Sequence, residues 1–372
     1  MSKPIKVGIT QGDHNGIGLE VILKALNSDT ITDLFTPVLF ADWRLVDQAK
    51  KTFGLDLHSM RRIEKASDAR PGQINVVDLR LSDNKIEPGM PTQASGRGAE
   101  MSLENAMEAM NAGEIDVLVT APISKEAIQS DSFRFAGHTE YLESKAGEDN
   151  KAMMILFDDR MRVALVTTHV PISQLAQHIT KEKVAKSIQD FALSLKKDFT
   201  VTRPKIAVLS LNPHVGDGGL LGEEEENAIK PAIDECIECG ILAFGPYAAD
   251  GFFGSGAYKN FDGILAMYHD QGLAPFKALG AEEGVNFTAG LPFVRTSPDH
   301  GTAYDIAWKG EADPQSMRHA IYRAIDIYRN RLRHEEASAN PLKKADKPQK
   351  NDKSKQVKEN TAEGDKQNPE AE

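Results

Sequence analysis

A chain of 372 residues with 40% hydrophobic content can bury one large or two moderate cores, and its length suggests about two domains. A formal net charge of −11 argues against a nucleic-acid surface, while a local basic pocket for a phosphorylated metabolite stays compatible with it. No apolar run approaches a membrane span, and Met1-Ser-Lys-Pro4 leads into a strand without a secretory core, so a cytoplasmic protein with neither membrane nor nucleic-acid partner is expected. The two cysteines, Cys236 and Cys239, cannot build a disulfide framework and read as core-facing residues of a helix over 223–239.

Strands are predicted at 5–10, 37–41, 74–78 and 116–122, separated by a helix that follows the glycine-rich turn 11–20 and runs through 26 and by helical patterns at 43–53 and 98–112. Strands that are nearly continuous apolar runs alternating with helices indicate an α/β protein whose sheet is covered on both faces. The loop after the first strand, Gln11 to Glu20, has glycines at 12, 16 and 18 that match neither the dinucleotide fingerprint nor a P-loop; it can still present backbone N–H groups to an anion, or serve only as a tight turn. Ser124 and Lys125 are placed at the opening of a helix, and Thr139 caps another that begins at Glu140, with His138 beside the free N–H groups. A histidine and a hydroxyl there suit a phosphate or a carboxylate.

A hairpin turns at Asp158-Asp-Arg160, and the glutamates 223–226 read as the solvated first turn of a helix. Three apolar strands each end in a histidine at a turn: 163–167 before His169, 206–211 before His214, and 264–267 before His269. Together these make a candidate three-imidazole metal site, although a lone strand-end histidine is more often a hydrogen-bonded structural residue. Asp270 then orients a ligating imidazole or caps the next turn. Asp250 is set in a loop before the third of these strands, and the alternation over 285–294 offers Asn286 and Arg295 to a ligand. Helices are predicted at 302–309 and 314–333; beyond 334 the composition turns polar and non-aromatic, and 335–372 is expected to be a disordered tail.

Taken together, Thr10-Gln-Gly-Asp-His-Asn-Gly-Ile-Gly-Leu-Glu20, Gly137-His-Thr-Glu140, Thr168-His169, Leu211-Asn-Pro-His214, Met267-Tyr-His-Asp-Gln-Gly272 and Arg295-Thr-Ser-Pro-Asp-His-Gly-Thr302 resemble, in order, the signatures of the 4-hydroxythreonine-4-phosphate dehydrogenase family, PdxA. The resemblance runs from about Ile5 to about Arg333. It implies a two-domain α/β fold like that of the isocitrate and isopropylmalate dehydrogenases, with mixed sheets and the active site in the interdomain cleft. The first domain would be 1–135 plus 285–334 and the second 136–284, in a homodimer whose sites are shared between subunits.

The family's metal histidines fall on His169, His214 and His269, and its substrate contacts on His138, Thr139, Lys277, Asn286 and Arg295, with Asp250 an acid near the substrate. The implied reaction is NAD- or NADP-dependent oxidation of 4-phosphohydroxy-L-threonine at C3, assisted by a divalent ion (zinc, cobalt, manganese or magnesium), then decarboxylation to 3-amino-2-oxopropyl phosphate for pyridoxal 5′-phosphate synthesis. Asp250 is the first choice for the proton acceptor and Lys277 the second. His14 and Asn15 replace the family's usual Pro-Ala, and Leu19 a proline, so His14 is not assigned to the metal. The motifs do not separate this reaction from oxidation of 4-phospho-D-threonate or 4-phospho-D-erythronate; a metal-dependent hydrolase and an inactive phosphometabolite-binding protein are more distant alternatives.

Overall fold

The structure is a computed structural model that describes residues 4–340 apart from 29, 58, 149 and 280–282. Residues up to His334 form one compact unit, and a second begins at Glu335. Most of the polar tail expected from 335 lies outside the described residues.

Among the described residues, twelve strands make one sheet: β1 Lys6–Thr10, β2 Thr36–Ala41, β3 Met60–Ile63, β4 Ile74–Asp78, β5 Val117–Thr120, β6 Met153–Phe157, β7 Arg162–Leu165, β8 Lys205–Leu209, β9 Leu242–Tyr247, β10 Gly263–Ala266, β11 Val285–Ala289 and β12 Val294–Pro298. Their spatial order is β3-β4-β2-β1-β5-β12-β11-β6-β7-β10-β8-β9. Pairing is parallel from β3 to β12 and again from β7 to β9, and antiparallel where β12, β11, β6 and β7 meet. The two parallel halves therefore run in opposite directions, with the antiparallel strands between them.

The strands are apolar on both sides because both faces are covered. In β2, Leu39 joins the core shared with the helices Gly18–Leu26 and Trp43–Thr52, whereas Val38 and Phe40 join the core beneath the helix Gln93–Asn111. This last helix starts five residues earlier than its apolar pattern suggested. Thr92 Oγ1 accepts from the Ser95 N–H (3.1 Å) and Ser95 Oγ accepts from the Thr92 N–H (3.3 Å), a reciprocal cap that satisfies two otherwise free donors. Gly96 is required here, since a Cβ would lie 1.8 Å from the Ala127 carbonyl oxygen.

Several local expectations are corrected. Residues 125–128 and 304–310 form turns rather than helices, and β3 is an additional edge strand. The helix His138–Ala146 starts two residues before Glu140 with Gly137 as its cap, so Thr139 lies inside the first turn and caps nothing. Cys236 is buried in the helix Lys230–Glu238, but Cys239 follows its end and is exposed. The loop after β1 is buried and uses its own N–H groups: Asp13 donates to the Pro122 carbonyl, Gly16 to that of Asp13 and Ile17 to that of Thr302. The Asp13 carboxylate accepts from Asn15 N–H, Ser95 Oγ and Tyr304 OH, which makes this segment a structural knot rather than an anion loop.

Candidate active site

Side chains one residue apart along a strand point to opposite faces, so register decides which of them meet. Asn286 pairs with Leu156 and Ser297, and Thr288 with Met154, which puts Met154, Leu156, Asn286, Thr288 and Ser297 on one face of β6, β11 and β12. Over this face lies a cavity of about 300 Å³, closed by the segment after β5, by residues 137–140, and by the helix His269–Ala278. His138, Thr139, His169, His269, Lys277, Asn286 and Arg295 all line it. Seven of the nine residues singled out from sequence thus meet in one place.

Arg295 forms its base and is only 2% exposed. Its Nε and Nη2 donate to Thr120 Oγ1 (3.0 and 2.6 Å) and its Nη1 to Thr288 Oγ1 (3.0 Å). No carboxylate pairs with it among the described residues. Burial pushes its pKa down to about 9, with the negative charge of Glu140 opposing the shift, so it remains a cation at neutral pH. A buried cation supported only by hydroxyls is short of an anion. Beside it, burial first and then the charges of Arg295 and Lys125 hold His138 well below the ordinary histidine range, which leaves its imidazole neutral.

Four buried polar atoms in the lining have no partner: His138 Nε2, Glu140 Oε2, Asn286 Oδ1 and His300 Nε2. Buried polar groups are nearly always hydrogen-bonded, so a cluster of exceptions around one cavity marks where a polar ligand completes the structure. At the other end Lys277 Nζ lies 3.2 Å from Asp299 Oδ1. Burial raises the Asp299 carboxyl, with Lys277 acting against that shift.

β7, β10 and β8 are neighbours in the sheet, and their carboxyl ends lead to His169, His269 and His214. The His169 and His269 rings have centroids 6.4 Å apart. Each ring has its Nδ1 against a carboxylate, Glu140 at 3.3 Å and Asp270 at 2.7 Å. With its proton on the Nδ1 that faces the carboxylate, each ring would offer Nε2 as the donor atom a divalent ion takes, so the chemistry of the pair is compatible with a metal. His214 turns elsewhere. It lines a second cavity of about 580 Å³ together with Asp250, Tyr268, Asp270 and Gln271. No group of three His, Cys, Asp or Glu side chains capable of holding a metal forms within the described residues.

The segment carrying His214, Pro213–Gly219, has left-handed φ values at His214 (53°), Val215 (59°) and Asp217 (46°). Glu225 holds it: Oε1 accepts from the Leu211 and Asn212 N–H groups (2.7 and 2.8 Å) and Oε2 from Asn212 Nδ2 (3.0 Å). Glu225 is fully buried, so the reading of 223–226 as a solvated first turn fails at this residue.

With this geometry in place, comparison with known proteins is informative. The family model for pyridoxal phosphate biosynthetic protein PdxA matches residues 33–324. The chain belongs to the PdxA family. A 4-hydroxythreonine-4-phosphate dehydrogenase from Bacteroides thetaiotaomicron is 53% identical over 340 residues, covering 91% of this chain and 93% of the relative. A D-threonate 4-phosphate dehydrogenase from Pectobacterium atrosepticum is 36% identical over 327 residues, covering 86% and 98%. The crystal structure of the Klebsiella pneumoniae 4-hydroxythreonine-4-phosphate dehydrogenase superposes with a TM-score of 0.76 at 33% identity, covering 88% of this chain and 99% of that one. The α/β fold with its large mixed sheet is thus the PdxA fold.

In this PdxA-family chain the sequence reading passed over Thr120, Glu140, Asp299 and His300 as site residues. Glu140, Asp299 and His300 lie inside the motifs 137–140 and 295–302, and their proximity to polar neighbours was the available signal. Thr120 had none: a hydroxyl at the end of an apolar strand becomes meaningful only when Arg295 is registered beside it.

Proposed function

We propose that this protein is an NAD- or NADP-dependent 4-hydroxythreonine-4-phosphate dehydrogenase that oxidises 4-phosphohydroxy-L-threonine at C3 and releases CO2 to give 3-amino-2-oxopropyl phosphate, a step toward pyridoxal 5′-phosphate. The observation that carries this is the cavity itself: a buried, unpaired Arg295 at its base, unpartnered polar atoms around its wall, and two carboxylate-backed histidines at its mouth. Family membership and the names of the relatives above support the same reading.

Arg295, neutral His138 and Thr139 bind one anionic end of the substrate, the guanidinium supplying charge and the helix N-terminus free N–H groups. His169 and His269 would hold a divalent ion, with His214 as the third ligand. Since His214 and Asp250 line a separate cavity within one chain, they are assigned to the site of a second copy in a homodimer. The chemistry that ion and the nicotinamide supply when bound is a positive charge beside the reacting oxygen and an acceptor for hydride. Lys277, steadied by Asp299 and two turns along its helix from His269, exchanges a proton at the substrate, and Asp250 of the second copy is the other acid-base group. The opposed parallel halves of the sheet support a division into lobes at 1–135 plus 285–334 and at 136–284. No helix among the described residues is long and apolar enough to cross a membrane, in keeping with a cytoplasmic enzyme.

A second reading has specific support: the relative named D-threonate 4-phosphate dehydrogenase leaves 4-phospho-D-threonate as a rival substrate. The experiment is NADH formation by absorbance with metal-loaded protein on both acids, with His214→Ala as control. Turnover of the amino acid that vanishes in the variant is the expected result. Turnover of the threonate alone moves the substrate, and turnover of neither by folded, metal-bearing protein refutes the dehydrogenase reading.

A further inference from the structure

We infer that Glu140 is the residue that reads the group on C2 of the substrate, its second carboxylate oxygen accepting hydrogen bonds from an ammonium, so that the site selects a 2-amino over a 2-hydroxy acid; this rests on the substrate reading above. Glu140 stands at the junction of the two functional ends of the cavity. It follows His138 and Thr139 in the first turn of their helix, and its Oε1 contacts His169 Nδ1 at 3.3 Å. Its Oε2 is buried and has no partner.

The nearby cations do not occupy that oxygen. Arg295 directs its hydrogen bonds at Thr120 and Thr288, and Lys277 pairs with Asp299. Lys125 lines the cavity and its charge helps to keep the Glu140 carboxyl low, yet it makes no ion-pair contact with Glu140 among the described residues. An ionised carboxylate only accepts hydrogen bonds, and leaving one of its oxygens buried and unmatched is costly. What is missing is therefore a donor, and a positively charged one suits it best. Across the cavity Asn286 Oδ1 is a second buried acceptor without a donor.

A substrate with an ammonium at C2 brings three N–H donors and a positive charge to these two acceptors. A 2-hydroxy acid brings one neutral donor. The reacting hydroxyl is on the adjacent carbon, and Glu140 touches a histidine assigned to the ion beside that hydroxyl, so the placement along the substrate agrees with the placement along the cavity.

The test is calorimetric binding of 4-phosphohydroxy-L-threonine and of 4-phospho-D-threonate to the full-length, metal-free protein, wild type against Glu140→Gln, with kcat/KM ratios on the metal-loaded enzymes as a second readout. The amide keeps an acceptor for His169 and turns an N–H₂ group or a neutral oxygen toward the ligand. The affinity ratio favouring the amino acid should fall by roughly ten- to a hundredfold in the variant, the range for a hydrogen bond to a charged group. Glu140→Asp, which keeps the charge, should retain part of the preference, and melting curves of both variants establish that they are folded. A wild type that binds the two acids equally, or a variant that loses both in parallel, overturns the inference and reduces Glu140 to a support for His169. Binding of neither acid by the wild type removes the substrate reading itself and this inference with it.

Discussion

Replacing Arg295 with methionine should make the ligand-free protein more stable and the ligand-binding protein worse. The side chain is 2% exposed and burial pushes its pKa down to about 9, so desolvation of the charge is held against folding, on the order of 5 kcal/mol. At neutral pH the guanidinium is charged in both folded and unfolded chains, so this cost is fully present. Against the gain stand the Thr120 and Thr288 hydroxyls, which lose their donor at about 1 to 2 kcal/mol each. The net is a stabilisation of about 1 to 3 kcal/mol. The assay is thermal unfolding at pH 7 in buffer free of phosphate, with and without the phosphorylated acid. The expected pattern is a higher melting point for the variant and ligand-induced stabilisation in the wild type only. A variant that melts lower at pH 7 and is stabilised by ligand as much as the wild type would refute the account of Arg295 as a destabilising anion receptor.

Three further predictions probe other parts of the argument. Glu225→Ala removes the acceptor for two backbone N–H groups and Asn212 Nδ2, so it should cost about 2 to 4 kcal/mol and accelerate amide exchange across 211–222; unchanged exchange there would show that the left-handed segment holds itself. Gly96→Ala, which drives a methyl onto the Ala127 carbonyl oxygen, should lower stability by more than about 2 kcal/mol although alanine is the better helix former, measured by chemical unfolding. The folded pKa of His138 is depressed, so as the pH falls below about 6.5 the unfolded chain takes up a proton that the folded chain refuses, and stability drops. His138→Asn should flatten the slope of stability between about pH 6.5 and 5, and an unaltered slope would assign acid sensitivity to other groups.

The order of strand and helix was legible because strands buried on both faces and helices with one apolar stripe carry different periods. What the period could not carry was contact across the chain. The alternation over 285–294 offered Arg295 as a ligand contact, yet its meaning depends on Thr120, 175 positions away, and that neighbour exists only through the parallel pairing of β5 with β12. The three strand-end histidines were found by one rule and share adjacent strands, but the rule treats a strand end as a point. His169 follows β7 by four residues and His269 follows β10 by three, whereas His214 lies five beyond β8 on a left-handed turn. Those few residues, pinned by Glu225 rather than by any apolar pattern, separate His214 from the other two. Glutamates in a first turn look alike in sequence whether they face water or backbone, and at 225 the difference decides which cavity a histidine serves. Local periodicity thus accounts for the sheet, while the chemistry at its edge depends on a few buried polar contacts whose partners are distant in sequence or hidden in loops.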